Sequence, residues 1–413
     1  MRAAYLFLQQ TLILPVIITF WIPLTAGAQE FRFSGTRKKH AVSFTHTRNL
    51  VIIPVYVNEK GPYNFILDSG VGPMIITDSL ITRDIDPKNL RPVRITGLGK
   101  GTEIEALLTN EIAARIGKAS GNNIPTAILK EDLLGLSNYV GMKISGLIGY
   151  YFINSFIVRI NYSGKRVVFY TREARRKTKG ERIPITLLHN KPYAHVDLDI
   201  PGTGKFRPKV VIDNGASHAL SLETLEGKPF PLPSGVIKAN LGIGLNGPIS
   251  GSMGRTNAMR IGSYTFKNVL TSYPVYNDEA IRTYLANRNG NLGADVLARF
   301  NITFDYADSA MYLQRNETFR RAFEHDMSGI ELYLEGPDPG RYFVNRVETG
   351  SPADEAGIRT GDEILFANFK KAGTFSLDEL NKLLKSGDGR TIYLTLNRSG
   401  QLIVSTIKLK KRI

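Results

Sequence analysis

The sequence predicts a mainly β protein in which one β lobe occurs twice and is followed by a smaller domain of strands and helices. The first observation is that residues 31–314 consist of short β-rich runs separated by Gly, Asn and Pro, without long helical periodicity. The second is an internal repeat within this region. The third is a C-terminal segment, from residue 329, with signals for strands, short helices and turns.

The N-terminal residues have the pattern of a secretory signal peptide. One Arg precedes an apolar run that ends on the small-x-small cleavage sequence "AGA" at 26–28. Pro15 and Pro23 interrupt the run, which argues against the alternative of an uncleaved membrane anchor. We therefore expect residues 1–28 to be removed and the mature chain to be a soluble periplasmic or extracellular protein.

Composition excludes some classes of site. The chain contains no Cys, so it cannot form disulfides, a Cys-based metal site or a lipoprotein anchor. Its net charge is +16, and much of the excess lies in basic runs at 37–40, 172–182 and 408–413. We interpret these runs as solvated linker and tail and expect no nucleic-acid partner, because an exported protein seldom meets one. A weak contact with an anionic surface is the alternative.

The internal repeat aligns residues 146–170 with residues 290–314, at a spacing of 144 (146 to 290). The identical residues are Gly146 and Gly290, Gly149 and Gly293, Phe156 and Phe300, and Tyr162 and Tyr306. The same shift, within one residue, carries Asp68 onto Asp213, and it also carries "ARIG" at 114–117 onto "MRIG" at 259–262. Landmarks in the same order and at the same separation indicate two copies of one fold.

Each copy runs a hydrophobic strand into an Asp-x-Gly turn, "FILDSG" at 65–70 and "VVIDNG" at 210–215. One such turn is ordinary, because Asp caps its own backbone and Gly accepts positive φ. The pair is more specific, since both copies also carry the later hydrophobic-hydrophobic-Gly segment. This order of elements resembles the pepsin and retropepsin aspartic proteases over roughly residues 45–315. The tandem arrangement resembles the bacterial members that are fused to a PDZ domain.

In that family each lobe supplies one Asp at the end of a strand, beside a second strand of Gly-Leu-Ile-Gly type. The resemblance therefore implies a catalytic dyad of Asp68 and Asp213. It gives supporting roles to their neighbours Ser69, Gly70, Asn214 and Gly215. Two carboxylates at close separation share one proton, so the ionised partner can activate a water while the protonated partner donates to the carbonyl oxygen. We expect an aspartic endopeptidase for peptides or unfolded proteins, with no metal or organic cofactor.

Two positions depart from the family pattern. The residue between Asp and Gly is usually Thr or Ser, whose hydroxyl links the two turns. Ser69 fits this role, whereas Asn214 is a bulkier amide that can still donate and accept across the interface. Val71, after the first Gly, offers no hydroxyl to the neighbouring carboxylate. These departures keep open the alternative of a catalytically inactive peptide-binding scaffold that retains the protease fold.

Two Gly-rich segments, at 95–106 and 240–251, lie where the family places its mobile flaps. The candidate flap glycines are Gly99, Gly101, Gly242 and Gly244. The second segment also has Gly-x-Gly-x-x-Gly spacing, but no helix signal follows it, so we reject a dinucleotide site. For His189, His195 and His218 we expect structural roles, because their spacing matches no helical metal pair.

The C-terminal module is similar to PDZ domains through the run "GSPADEAGIRTGDEIL" at 350–365. In that family the first strand and a helix bound a groove that takes a peptide as an added strand, so a C-terminal peptide is the candidate ligand. The strand side would consist of Gly329, Ile330, Glu331 and Leu332, and the helix side of Leu377, Leu380 and Leu384. The alternative is that these leucines only fill the core.

The predicted fold class is thus mainly β, with two retropepsin/pepsin-like β lobes in one chain and a C-terminal α+β PDZ domain. Phe319 and Phe323 have helical spacing, which predicts a connecting helix between the second lobe and this domain. The predicted organisation is a signal peptide at 1–28, an N-terminal lobe at 29–172, a basic linker at 173–184, a C-terminal lobe at 185–314, the connecting helix at 315–328 and the PDZ domain at 329–413.

Overall fold

The structure is a computed structural model. It describes residues 30–95, 104–130, 135–175, 177–244, 247–275, 288–335 and 340–413. The predicted signal peptide and the flap residues Gly99 and Gly101 lie outside these ranges. Within them, no helix combines the length and the apolar character that crossing a bilayer requires.

The N-terminal lobe is a β structure with two short helices in its described part. Its strands are β1 Arg32–Phe33, β2 Lys39–Ser43, β3 Thr45–Thr47, β4 Leu50–Val57, β5 Lys60–Leu67, β6 Met74–Ile76, β7 Arg91–Ile95, β8 Ile104–Ile116, β9 Ala119–Leu129, β10 Gly146–Ile148, β11 Ile157–Asn161 and β12 Arg166–Tyr170. The helices are α1 Leu136–Val140 and α2 Tyr150–Ser155. The main sheet has the order β1-β9-β6-β10-β5-β4-β8-β7, with β3 beside β4.

The C-terminal lobe follows the same plan. Its strands are β13 Glu181–Pro184, β14 Thr186–Leu188, β15 Lys191–His195, β16 Asp197–Ile200, β17 Gly204–Phe206, β18 Lys209–Ile212, β19 Leu220–Leu222, β20 Thr224–Leu225, β21 Lys228–Pro229, β22 Ile237–Gly244, β23 Gly247–Ile261, β24 Tyr264–Pro274, β25 Gly290–Leu292, β26 Phe300–Asp305 and β27 Ala310–Arg315. Helix α3 is Ala294–Leu297. The main sheet has the order β14-β15-β18-β25-β19-β24-β23-β16-β17, with β22 on β23.

Both lobes build the same arrangement around their Asp-x-Gly turns. Strand β5 runs directly into Asp68, and β10 lies parallel beside it. Strand β18 runs into Asp213, with β25 parallel beside it. In each lobe the N–H of the Asp donates to the carbonyl of the last residue of the parallel strand, at 2.9 Å and 3.0 Å. In each lobe the first residue of the turn is therefore fixed to the neighbouring parallel strand.

A six-stranded sheet shared by the lobes fixes their relative position. Its order is β13-β27-β26-β11-β12-β2, so three strands of the C-terminal lobe continue directly into three strands of the N-terminal lobe. At its centre β11 and β26 pair antiparallel, and Arg159 lies opposite Thr303, its own counterpart in the repeat. One hydrophobic core, which includes Phe169 and Phe304, continues through both lobes. The lobes are therefore related by an approximate twofold axis that passes through this sheet.

The C-terminal module has a separate hydrophobic core. Its strands are β28 Ile330–Glu335, β29 Arg341–Val347, β30 Glu363–Ala367, β31 Lys370–Lys371, β32 Thr391–Arg398 and β33 Gln401–Lys408, and its helices are α4 Pro352–Glu355 and α5 Leu377–Leu383. Ser376 and Glu379 form a capping box that starts α5. Short 3-10 helices elsewhere in the described chain are Ser79–Thr82, Pro87–Asn89, Arg172–Ala174, Tyr306–Asp308 and Ala372–Thr374.

The predicted connecting helix at 315–328 is wrong, because this segment consists of turns and irregular backbone. Phe319 and Phe323 still pack on the core of the C-terminal lobe, where both rings contact Phe266. The carbonyl of Phe323 accepts a hydrogen bond from Arg255 at 2.9 Å. Tertiary contacts therefore satisfy the backbone here, and a helical spacing of two aromatic residues did not require a helix.

Because the core continues through both lobes, Phe304→Ala should destabilise them together. Phe304 is fully buried, and its removal should lower the free energy of unfolding of the two lobes by about 3–5 kcal/mol. Chemical denaturation of the mature chain measures this. The control is Phe369→Ala, at an 81% exposed site, which should change stability by about 0.5 kcal/mol or less. An equally small effect at Phe304 would contradict the shared core.

Candidate active site

Asp68 and Asp213 meet where the two lobes face each other, and each carboxyl lies against the glycine of the opposite turn. Each carboxyl also accepts a bond from its own turn. The N–H of Gly70 donates to Oδ1 of Asp68 at 2.7 Å, and the N–H of Gly215 donates to Oδ1 of Asp213 at 2.9 Å. The two turns thus hold the carboxyls in equivalent positions.

Ser69 and Asn214 cross-link the turns through four hydrogen bonds. The N–H of Ser69 donates to Oδ1 of Asn214 at 2.8 Å, and the N–H of Asn214 donates to Oγ of Ser69 at 3.1 Å. The Ser69 hydroxyl then donates to the carbonyl of Ile212 at 2.7 Å, and the Asn214 amide donates to that of Leu67 at 2.8 Å. Asn214 therefore does with its amide what Ser69 does with its hydroxyl, since each accepts and donates across the interface.

The glycines of both turns lie over the opposite carboxyl. A Cβ atom on Gly70 would lie 2.7 Å from Cγ of Asp213, and one on Gly215 would lie 2.1 Å from Cγ of Asp68. Both distances are far inside van der Waals contact. The carboxyls can therefore approach each other only because both positions lack a side chain.

The environment of Asp68 favours its protonated form. Burial is the main reason that its pKa lies well above its usual range, and the negative charge and hydrogen bond of Asp213 add to the effect. The amide of Gly70 and the charge of Lys191 oppose it. The shared proton is therefore expected on Asp68.

Asn291 gives the second carboxyl a partner that the first one lacks. Its amide donates to Oδ2 of Asp213 at 2.6 Å, from β25 beside the turn. The corresponding residue of the repeat is Leu147, which has no donor. The hydrogen bond from Asn291 therefore distinguishes Asp213 from Asp68 within the dyad.

Lys191 is a second polar difference between the lobes. Tyr193 of β15 lies opposite Val211 of β18, and the same register places Lys191 beside Asp213. Burial lowers the pKa of Lys191 and the charge of Arg288 lowers it further, whereas both dyad carboxylates raise it. In the first lobe, Leu50 takes the corresponding place beside Asp68. The charge of Lys191 thus acts on both carboxyls, and it comes from the C-terminal lobe alone.

Neither Asn291 nor Lys191 was predicted as a site residue. The signal for Asn291 was present in the repeat, because "GLIG" at 146–149 becomes "GNLG" at 290–293 and a polar residue interrupts an apolar pair. Lys191 offered no comparable signal. Its place beside the dyad follows from strand pairing, and the repeat landmarks do not extend to it.

Two other residues of the site region, Val71 and His218, make packing contacts. Val71 is buried, and its carbonyl accepts from the N–H of Tyr150 at 3.1 Å. His218 packs against Gly293, and burial lowers the pKa of its ring. In the described part of the chain no group of His, Asp and Glu is arranged to hold a metal ion.

The predicted second flap is a β-hairpin of β22 and β23 in the structure. Gly242 lies at a bulge in this hairpin with φ of +113°, a conformation that favours glycine, and Gly244 ends β22. Strands β7 and β8 pair in the corresponding place of the first lobe, and the connection with Gly99 and Gly101 lies outside the described residues.

The residues predicted to line the PDZ groove lie on β28 and α5. Ile330, Glu331 and Leu332 belong to β28, and Gly329 precedes it with φ of +81°. Leu377, Leu380 and Leu384 are all buried in the core of this domain. These leucines therefore pack in the core, as the alternative interpretation expects.

Comparison with known proteins agrees with this architecture. The aspartyl protease family model matches residues 53–152, and the PDZ domain family model matches residues 343–398. The chain joins an aspartyl protease domain to a PDZ domain. The site described above lies in the protease domain and in the lobe that repeats its arrangement.

Two processing proteases are similar to part of this chain. The chain is 32% identical over 95 residues to the carboxy-terminal processing protease CtpA of Bacillus subtilis (strain 168), a match covering 23% of this chain and 19% of that protein. The chain therefore spans about a fifth of the length of the curated relative it matches. A solved structure, the photosystem II D1 C-terminal processing protease, matches at 20% identity with a TM-score of 0.21, covering 23% of this chain and 26% of that one.

The raised pKa of Asp68 predicts a pH-dependent effect of Asp68→Asn on the stability of the protease domain. Above the unfolded pKa of about 4, the unfolded wild-type chain releases this proton while the folded chain keeps it, which costs stability as pH rises. An amide cannot ionise, so the variant avoids this cost. We expect its Tm to exceed that of the wild type at pH 7, and the difference to shrink toward pH 3. A difference that grows on acidification would contradict the assignment.

Asn291→Leu, which copies the residue of the first lobe, should shift the pH profile of the protease domain. Without the amide donor the dyad holds its negative charge less well, so the acid limb of kcat/KM should move to higher pH. The control is Asn257→Leu, at an exposed site that bonds Asp199 away from the dyad. An acid limb that stays unchanged in Asn291→Leu would show that this hydrogen bond does not influence the dyad.

Proposed function

We propose that the chain is an exported aspartic endopeptidase whose dyad consists of Asp68 and Asp213. The observation that carries this proposal is the cross-linked pair of turns, which holds the two carboxyls at the lobe interface, each against the glycine of the opposite turn. Such a pair supplies a base and an acid to the same peptide bond, which hydrolysis without a covalent nucleophile requires.

The asymmetry of the site assigns the two roles. Asp213 carries the negative charge, supported by the hydrogen bond from Asn291, and takes a proton from the attacking water. Asp68 carries the shared proton and donates it to the carbonyl oxygen of the scissile bond as charge develops there. Collapse of the tetrahedral intermediate expels the amine, which receives a proton from the dyad, and the peptide bond is broken.

The substrate is an extended peptide or an unfolded polypeptide. The hairpin of β22 and β23 stands in the place of the second flap, and the paired strands β7 and β8 stand in the place of the first. Flaps of this kind exclude water and hold an extended chain across the dyad. Export rests on the sequence pattern of residues 1–28 and places the activity in the periplasm or outside the cell.

The second candidate is an inactive peptide-binding scaffold. It was suggested by Asn214 and Val71, which depart from the family pattern. The geometry at Asn214 argues against it, because the amide completes the cross-link that a hydroxyl makes in the other turn. Val71 takes part in none of the hydrogen bonds described for the two carboxyls. Its side chain is buried and packs near Gly149.

The test is cleavage of a diverse peptide pool by the mature chain, read by mass spectrometry between about pH 3.5 and 8. We expect Asp68→Asn and Asp213→Asn each to lose at least about a thousandfold in rate, because neither amide can complete the acid and base pair. The control, Asp84→Asn, changes an exposed carboxylate and should keep the wild-type rate.

Two results would contradict the proposal. If the dyad variants cleave as fast as the wild type, hydrolysis comes from another site. If the wild type cleaves nothing at any pH but still retains peptides from the pool, the lobes are the inactive scaffold.

A further inference from the structure

The first strand of the PDZ domain faces the protease lobes. Helix α1 of the N-terminal lobe packs along β28. The residue that ends this helix, Gly141, lies between Leu334 of β28 and Leu377 of α5. A Cβ atom on Gly141 would lie 3.1 Å from Cβ of Leu377 and 3.7 Å from Cδ2 of Leu334. Residues 136–141 therefore occupy the space between the strand and the helix, where a PDZ ligand would lie.

The backbone amides at the start of this strand are also occupied. The N–H of Gly329 donates to the carboxylate of Asp326, and the N–H of Ile330 donates to Oγ of Ser328 at 3.0 Å. The carboxylate of a free C-terminus would need donors of this kind. Two groups of the chain itself already hold them.

A chain of contacts runs from β28 to the loop that follows Asp213. The guanidinium of Arg48 donates to the carbonyl of Leu332 at 3.3 Å and lies 4.2 Å from the ring centre of Tyr139. The hydroxyl of Tyr139 is hydrogen-bonded to Oγ of Ser217 at 2.7 Å. The amide of Asn49 donates to the carbonyl of Ser217 at 3.2 Å. The position of the PDZ strand thus influences a residue four places after the dyad Asp.

The same strand contacts the second flap. The amide of Asn240, on β22, donates to Oε2 of Glu331 on β28 at 2.8 Å. Leu332 and Glu331 therefore connect to two parts of the C-terminal lobe. Leu332 is linked to the 215–218 loop through Arg48 and Tyr139, and Glu331 bonds the second flap directly.

We infer that residues 136–141 of the N-terminal lobe are the occupant of the PDZ groove, and that the docked PDZ domain holds the 215–218 loop and the second flap in place. The PDZ domain is then an internal brace of the protease, and a C-terminal peptide from outside can enter only by displacing α1. This inference concerns the contact between the PDZ domain and the lobes and does not require an active dyad. The contact can therefore be absent while the proposed function holds, and it can be present in an inactive protein.

Two glycines at the ends of α1 provide a matched pair of variants. Gly141, with φ of +80°, lies against Leu377, whereas Gly135, with φ of +52°, has nothing within 4 Å of its Cβ position. Gly141→Leu and Gly135→Leu therefore impose similar backbone strain, but only the first pushes a side chain into the groove.

Hydrogen–deuterium exchange of the full mature chain distinguishes a variant that disturbs the groove from one that only strains the helix end. In Gly141→Leu we expect exchange to accelerate by about tenfold or more in residues 330–335 and 215–222, while Gly135→Leu keeps the wild-type rates there. The inference is overturned if both segments exchange in Gly141→Leu as in the wild type. It is also overturned if the two variants behave alike, because the effect would then come from the helix itself.

A second pair of variants keeps the test valid if Gly141→Leu does not fold. Asn240→Asp sets two carboxylates against each other, so exchange should rise in residues 237–244 and 330–335. Adding Glu331→Gln restores an amide–carboxylate pair with the roles exchanged and should restore protection. A single variant that matches the wild type, or a double variant that rescues nothing, overturns the contact.

The wild type also tests whether an outside ligand can occupy the groove. A mixture of peptides with random free C-termini should leave exchange of residues 330–335 unchanged, because residues 136–141 already fill the site. Added protection of this strand by the peptides would show that the groove is open and would overturn the inference.

Discussion

The cross-link between Ser69 and Asn214 is the constraint on which the rest of the site depends. Both side chains are fully buried, and their bonds tie the N–H of each turn to the side chain of the other, and each side chain to the carbonyl before the opposite Asp. Breaking any of them would leave a buried polar group without a partner, which costs more than a typical hydrogen bond contributes. The lobes are therefore held in the one register that brings the carboxyls together.

A duplicated fold relates two equivalent carboxyls by an approximate twofold axis, whereas the proposed mechanism gives the shared proton to one of them. The structure breaks the equality just outside the turns. Asn291 and Lys191 stand near Asp213, where the first lobe has Leu147 and Leu50. Asn291 bonds Asp213 selectively and burial favours the protonated form of Asp68, so a proton shared by the pair has a preferred position. The repeat therefore explains the equivalent positions of the two carboxyls, and the residues that differ between the lobes explain their different surroundings.

The fold and the candidate dyad could be predicted because their signals are local and occur twice. A strand that runs into Asp-x-Gly, and later Gly-containing strands, can be read from neighbouring residues. Contacts between distant segments could not be predicted. The spacing of Phe319 and Phe323 suggested a helix, but the core of the C-terminal lobe took their rings without one. Leu377 was assigned to an open groove, because nothing in the sequence relates it to Gly141.

The most direct test of the central claim is a crystal structure of the mature chain at atomic resolution, near neutral pH, in which carboxyl bond lengths report protonation. We expect the side chains of Asp68 and Asp213 to be in hydrogen-bonding contact, with Asn214 bridging the turns. We also expect unequal C–O bonds for Asp68, which holds the proton, and equal ones for Asp213. Carboxyls that are splayed apart would contradict the dyad, and equal bonds in Asp68 with unequal bonds in Asp213 would contradict the assigned roles.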